Sequence, residues 1–339
     1  MKKLLTLLMV VVMVSSLFAA CAQEEEPMAT EPAATTEEPA AAVEVEEEEV
    51  EIYIPVISKG FQHQFWQAVK KGVEQASVDY GVKVTFEGPE SEAKVDEQMA
   101  MLEAALAKNP SAICLAAIDS QAVIPLVQRA VDAGIPVIGF DSGVDSELIL
   151  STAATDNVAA SMLAADKMAE LIGGEGKVGI IVHDQTSTTG IDRRDGFINR
   201  MADKYPNIEI VGPQYGEGDH LKSTDIAKAM LSANPDIKGF FGANEGSIIG
   251  ALNAVKELGL EGQVVTIGYD AGIQQMDAIR SGVQAGAITQ DPIGIGYKAV
   301  EAAVKAIRGE ELPRMIDTGF HWYDAETIDD ADIAPLLYE

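Results

Sequence analysis

From residue 51 onward, short apolar runs alternate with longer amphipathic segments. In the first half the runs are VEIYIPVI, VKVTFEG, AICLAAI and IPVIGFD, and helical spacing falls near 64–79, 94–108 and 121–133. The second half repeats the plan with KVGIIVH, IEIVGPQY, IKGFFGA, VVTIGYD and AGAITQD, and with helical segments near 157–172, 192–204, 221–233, 245–259 and 272–281. Continuous apolar strands separated by helices predict an α/β fold with parallel sheets covered on both faces, and the repeated plan predicts two such sheets. In the stretch GFQHQFWQAVKKG, Phe65, Val69, Val73 and Ala76 keep a helical core spacing. Trp66 fits that stripe less well. Two readings of His63, Phe65 and Trp66 stand at this point: a core edge with one exposed polar ring, or one wall of a binding site.

The first fifty residues follow another pattern. MKKLLTLLMVVVMVSSLFAA has a charged start, an apolar centre short for a membrane span, and small residues before Cys21. These are the marks of a signal peptide over residues 1–20. Ala19 and Ala20 directly before Cys21 resemble a bacterial lipoprotein box, in which that cysteine becomes the lipidated first residue; Phe18 departs from the usual aliphatic there. Residues 21–50 are otherwise Pro, Ala, Thr and Glu without apolar period, so a disordered acidic tether behind the lipid anchor is expected.

Composition narrows the partners. Residues 1–51 hold 12 acids and 2 lysines, so of 54 acids and 24 bases the remainder keeps 42 and 22, a net charge of −20. Nucleic acid, which needs cations to neutralise its phosphates, is not an expected partner. The remaining 288 residues exceed a usual single core and suggest two lobes. Apart from Cys21 the only cysteine is Cys114, in the apolar run SAICLAAI, where a small buried hydrophobe is expected and no disulfide can form within the chain.

One internal echo carries chemistry. IPVIGFDSG at 135–143 and VVTIGYDAG at 264–272 each put an aspartate, Asp141 or Asp270, at the carboxyl end of a strand. Ligands bind at that edge in open parallel sheets; an aspartate capping the following turn is the alternative for each. Other strand ends in the second half are also polar. HDQTSTTGIDRRDGF offers a Ser/Thr-rich loop leading to Arg193, FFGANEG offers Asn244, and AITQDP offers Gln290. Each has a local alternative: Arg193 paired at the surface, Asn244 as a helix N-cap, Gln290 satisfying a hinge backbone. Lys59 is a weak candidate, since an exposed lysine is the commoner state.

Enzyme signatures are scarce. The turn after the first strand, SKGFQHQFW, lacks the glycines that approach a pyrophosphate, and there is no phosphate-cradling Gly-Lys-Ser/Thr loop and no Gly-x-Ser-x-Gly elbow. Four histidines scattered at 63, 183, 220 and 321 suggest a site edge and three surface or core positions rather than a zinc site. No enzyme, metal or cofactor is expected.

With the aromatic pair, PVIGFDSG, ATDN at 154–157, RRDGF, NPDIKGFFGANE, VTIGYDAG and AITQ in view, the chain resembles periplasmic sugar-binding proteins of the ribose-binding type over nearly all of residues 51–320. These are the solute receptors of ABC importers. The resemblance implies a type I periplasmic binding protein: two Rossmann-like lobes joined by a three-strand hinge, with crossings near Ala153, Gln290 and Thr318. The lobes would then be residues 51–153 plus 291–318 and residues 154–290 plus 319–339. It implies ligand contacts from His63, Phe65, Trp66, Asp141, Ser142, Arg193, Asn244, Asp270 and Gln290. Ser142 stands where ribose binders carry an arginine, Gly218 where they carry an aromatic, and His63 in place of an asparagine, so ribose itself is in doubt.

The function this implies is capture of a monosaccharide or polyol by an exported, lipid-anchored monomer that delivers it to a membrane permease. Presentation of the liganded form to a chemoreceptor or sensor kinase is a second possibility. A transcription factor of the lactose-repressor type shares the two-lobed body, but the export signal and the absence of an N-terminal basic helix-turn-helix argue against it.

Overall fold

The computed structural model describes residues 51–338. The expected signal peptide, Cys21 and the tether lie outside the described residues.

The chain runs β1 (Tyr53–Ile57), α1 (Gln64–Tyr80), β2 (Lys83–Glu87), α2 (Val95–Leu106), β3 (Ile113–Leu115), α3 (Ile124–Asp132), β4 (Val137–Phe140) and β5 (Ser151–Ala154). It continues with α4 (Asn157–Leu171), β6 (Gly176–Val182), α5 (Thr188–Lys204), β7 (Ile208–Tyr215), α6 (His220–Ala233), β8 (Ile237–Gly242), α7 (Glu245–Glu257), β9 (Val265–Tyr269), α8 (Ile273–Arg280) and β10 (Gly286–Gln290). It ends with α9 (Pro292–Ile307), β11 (Met315–Asp317), β12 (Phe320–Tyr323) and a single 3-10 turn at Ala334–Leu336.

Two six-stranded sheets form, as the alternation predicts. The first has the order β2-β1-β3-β4-β5-β11 and is parallel throughout. The second has the order β7-β6-β8-β9-β10-β12, parallel except where β12 runs against β10. The five leading strands of each sheet repeat one doubly wound order, so each lobe has its switch point beside its first strand and its ligand edge at the strands' carboxyl ends. Apolar clusters cover both faces of each sheet: Ile54, Val56, Cys114 and Ile138 against α1 and α9 on one side of the first, Ile57, Leu115 and Val137 against α2 and α3 on the other. Cys114 is the expected buried hydrophobe.

The chain passes between the sheets after β5, after β10 and between β11 and β12. The first crossing is sealed by Asp156, whose carboxylate accepts from the Ala159 N–H at the start of α4. After the third, the tail crosses behind the cleft. Tyr323 donates its hydroxyl proton to the Asp270 carbonyl at 2.8 Å, and the Tyr338 hydroxyl accepts from the Ala271 N–H at 3.0 Å.

Several elements differ from the pattern's prediction. Helix α5 begins at Thr188, four residues before the expected start, so part of the Ser/Thr-rich loop is its first turn, capped by the Ser187 hydroxyl that accepts from Gly190 N–H. Helix α3 is shorter than its periodic segment, because residues 121–123 form a turn held by Asp119. Helix α9 was not anticipated. It begins on Pro292 and contains Gly294 and Gly296, which in sequence look like breakers; Gly296 instead lets α9 pack backbone to backbone on α1. The short strands β5, β11 and β12 also carry too little pattern to announce themselves.

Candidate functional site

The carboxyl ends of both sheets face one another across a closed cleft. A cavity of about 270 Å³ of empty space lies between them, lined by Lys59, His63, Phe65, Trp66, Glu92, Asp141, His183, Arg193, Asn244, Asp270 and Gln290. Of the residues expected from sequence, eight reach this cavity. Ser142 does not: it is fully buried beside it, with its hydroxyl 3.3 Å from that of Thr188.

The cleft is shut by bonds from one lobe to the other. Gly143 N–H donates to Thr188 Oγ1 at 2.9 Å, Ser120 N–H to the Thr186 carbonyl at 3.0 Å, and Ile273 N–H to Gln64 Oε1 at 2.9 Å. Lys59 Nζ donates to Thr189 Oγ1 at 3.1 Å. None of these bonds can survive opening, so the structure is the closed state of the hinge.

One wall is aromatic. Phe65 and Trp66 meet edge to face, with centroids 5.0 Å apart and planes at 84°. A sandwich of a ligand between parallel rings is therefore not what these two side chains build; they form one continuous apolar wall. Trp66 is 1 % exposed, and its indole N–H donates to Glu92 Oε1 at 2.8 Å. The rings of Phe65 and Trp66 belong to the first-lobe core and also line the cavity, while His63, the ring left exposed in the core-edge reading, is buried.

Around the rim sit charges. Arg193 rises from α5 with its guanidinium 3.7 Å above the Tyr269 ring, Nε donating to Asn157 Oδ1 at 2.8 Å and Nη1 to the Ala243 carbonyl at 2.9 Å. It is buried, not surface-paired. Among the described residues no hydrogen bond uses its Nη2, which leaves a donor for a guest. Asn244 caps α7 through Oδ1, which accepts from Ser247 N–H at 2.9 Å. The cap reading thus holds, and the amide nitrogen remains on the cavity side. Gln290 Nε2 donates to Asp270 Oδ1 at 2.7 Å, while Asp270 Oδ2 accepts from Glu245 N–H at 2.9 Å.

Asp141 differs. It is 4 % exposed, and among the described residues no N–H or O–H donates to its carboxylate. Burial raises its pKa to about 6, against the opposing pull of Lys59 and Arg193. A carboxylate held in such a place without donors is set up to receive them from a guest.

Sequence missed two lining residues, Glu92 and His183, and ranked a third, Lys59, low. Lys59 is 3 % exposed, contrary to the expectation of an exposed lysine, and its Nζ is 3.6 Å from Glu92 Oε2. Burial alone would push Glu92 up and Lys59 down. Their mutual attraction, aided for Glu92 by the nearby histidines and the Trp66 bond, outweighs it, so both stay charged. Glu92 sits in a loop with no periodic signal. His183 follows β6 directly, with Nε2 3.1 Å from Thr189 Oγ1, and burial holds it neutral. Its place just after an apolar strand was the available signal.

Residues 63 and 218 lie close enough to constrain one another. Gly218 has φ of +67°, and a Cβ there would come within 3.0 Å of Gln62 Nε2 and 3.2 Å of His63 Nε2. A large side chain in that position would displace the His63 ring. His63 has His220 beside it, with planes 17° apart, and Glu245 Oε1 4.0 Å from Nδ1.

Known proteins share this arrangement. A family model described as a periplasmic binding protein domain matches residues 54–311. The D-allose-binding periplasmic protein of Escherichia coli strain K12 is 28 % identical over 267 residues, which is 76 % of this chain and 86 % of that protein. The ribose import binding protein of Bacillus subtilis strain 168 is 26 % identical over 252 residues, 74 % of this chain and 80 % of its own. Among solved structures, an ABC transporter solute-binding protein from Agrobacterium vitis bound with α-D-tagatopyranose superposes with a TM-score of 0.80 at 32 % identity, covering 85 % of this chain and 100 % of that one. A carbohydrate transporter solute-binding protein from Agrobacterium radiobacter in complex with D-arabinose gives 0.82 at 32 % identity, covering 85 % and 99 %. Twinned doubly wound lobes, three crossings and a polar cavity between strand ends agree with the matched model: the chain belongs to the periplasmic binding protein family, a family of exported receptors and not of enzymes.

Proposed function

We propose that the protein captures a monosaccharide or polyol between residues 51–153 plus 291–318 on one side and 154–290 plus 319–339 on the other, and delivers it to an ABC permease. The observation that carries this reading is the Asp141 carboxylate, buried without donors in a cavity of about 270 Å³ walled by Phe65 and Trp66. A sugar has apolar C–H faces for the aromatic wall and hydroxyls for the rim. Asp141 and Asp270 accept from hydroxyls, Arg193 Nη2 and Lys59 donate, and Asn244 and Gln290 complete the set, with His63 at the edge. Ser142 shapes the lobe contact beside the site. Charge-assisted bonds contribute roughly 1.5–3 kcal/mol each, and a few suffice for the about −8 kcal/mol of micromolar binding.

D-Allose, ribose, D-arabinose and tagatopyranose binding by relatives supports the sugar class. Rim groups come from both lobes, so an open molecule cannot satisfy the guest, and ligand shifts the hinge toward the closed form that a permease would recognise. In this reading the receptor works as a monomer, exported by residues 1–20 and held to the membrane by lipid on Cys21, with residues 22–50 as tether.

A thermal-shift screen against pentoses, hexoses, alditols and inositols tests the proposal. A ligand at 100 times its dissociation constant stabilises by about 2.7 kcal/mol. Arg193→Ala should abolish the shift of any hit; a panel in which no sugar or polyol moves the melting temperature overturns the reading. Cys21→Ser should release the protein from the membrane fraction, and retained anchoring refutes the lipid attachment.

A further inference from the structure

Three helix starts converge at the mouth of the closed cleft. His63 immediately precedes α1, His220 opens α6 and Glu245 opens α7. One potential metal-binding atom from each lies within 4.8 Å of the others. Among the described residues, His63 Nδ1 and Glu245 Oε2 are buried with no hydrogen-bond partner. Leaving two such groups unpaired is unfavourable, because neither recovers the hydrogen bonds it made to water. The two imidazoles lie 17° from parallel with centroids 5.9 Å apart.

We propose that His63, His220 and Glu245 form a binding site for a zinc-like transition-metal ion that clips the two lobes together. Two imidazoles and a carboxylate are a donor set zinc accepts, with a water as fourth ligand in an open site. At zinc–ligand distances of about 2.0–2.1 Å, tetrahedral ligand atoms stand ~3.3 Å apart, so the widest pair has to close by about 1.5 Å. Binding through His63 Nδ1 leaves the ring proton on Nε2. The Gln62 amide nitrogen sits 3.1 Å from Nε2, and a half-turn that brought its oxygen there would give up the bond from Glu92 N–H to Oε1 and the bond to the Gly218 carbonyl.

Access and selectivity also fit. A groove of about 1660 Å³ of empty space runs outside the site between Phe61, Glu90 and Lys94 on one lobe and Glu217, Asp219 and Leu221 on the other, and both histidines line it. The ion and its water can enter from that side without crossing the inner cavity. The positive ends of α6 and α7 oppose any cation, which excludes weakly held calcium or magnesium and leaves ions with strong affinity for imidazole nitrogen. His63 belongs to the first lobe and the other two ligands to the second, so the complete site exists only in the closed state, and the ion stabilises that state.

The test uses the full chain with Zn²⁺ alone by calorimetry, and Co²⁺ as a spectroscopic substitute. One saturable equivalent is expected, with the visible absorption of tetrahedral Co²⁺ and a more compact particle by X-ray scattering. His220→Ala and, as a milder second variant, Glu245→Gln should weaken the metal by about tenfold or more, while His321→Ala on exposed β12 leaves it unchanged. Absence of saturable binding overturns the proposal. So does unaltered affinity in both variants, which would assign the ion to the acidic residues before 52, and so does binding without compaction, which removes the clip.

Discussion

Asp141 and Asp270 share a left-handed backbone, with φ of +52° and +77°, directly after β4 and β9. Each donates its N–H to the neighbouring strand of its own sheet, Asp141 to the Ala153 carbonyl and Asp270 to that of Ile288. The echo between 135–143 and 264–272 is thus conformational as well as chemical. Non-glycine residues in this region cost roughly 1–3 kcal/mol and persist where surroundings enforce them. The two carboxylates are not equivalent, since Asp270 is satisfied by Gln290 and Glu245 N–H while Asp141 has no donor. Asp270→Ala should therefore lower the melting stability of the ligand-free protein by about 1–3 kcal/mol as well as abolish sugar binding. Asp141→Asn should abolish binding yet leave ligand-free stability unchanged or higher. Thermal melts with and without a sugar separate the two outcomes.

The same carboxyl predicts a pH dependence. Burial lifts the Asp141 carboxyl from the ordinary carboxylate range to about 6. A raised folded-state pKa contributes stability that is fully present below the unfolded value and is lost as pH rises through the folded one. The ligand-free protein should lose on the order of 3 kcal/mol from this group between pH 4 and pH 7. A guest whose hydroxyls donate to the ionised form reverses that loss, so affinity should rise between pH 5 and pH 7. Calorimetric titration of a sugar across that range checks the sign, and in ligand-free melts Asp141→Asn should remove this group's part of the loss of stability with pH.

Lys59 and Glu92 form a buried pair at 3.6 Å in which each justifies the other's charge. Breaking such a pair from one side costs about 3–5 kcal/mol, because the remaining ion is stranded. Glu92→Gln should thus destabilise more than the double variant with Lys59→Met. A double-mutant cycle in urea would measure the coupling, and additive single losses would show that the pair is not coupled.

The existence of two parallel sheets and the aspartates at strand ends were legible because both rest on local pattern: an apolar run fixes a strand, and its last residue fixes which edge the next side chain meets. His63 and Asn244 stand at strand-to-helix turns by the same logic, whereas Arg193 lies within α5, which starts four residues before its expected start. Lys59–Glu92 was not legible, since the pair joins a strand end to a loop 33 positions away and burial of a lysine has no periodic signature. His220 and Glu245 approach His63 only because the lobes close, a tertiary fact with no trace in spacing.

The glycines of α1 and α9 give the last prediction. A methyl at Gly72 would run into the Ile293 carbonyl oxygen, and one at Gly296 into that of Val69, so each helix uses a bare Cα where the other's backbone passes. Around this crossing Val69, Val73, Ile295, Ala299 and Val300 are fully buried, closing the first lobe's core. Neither carbonyl can give way without unwinding a helical turn. Gly296→Ala should consequently separate the helices and cost about 1–3 kcal/mol, the usual penalty for overpacking. Trp66 in the first lobe and Trp322 in the second provide one fluorescent reporter for each. With Trp322→Phe as background, the urea midpoint seen by Trp66 should fall in Gly296→Ala; an unmoved midpoint would mean that the contact yields easily and that α9 is not locked to α1 by this crossing.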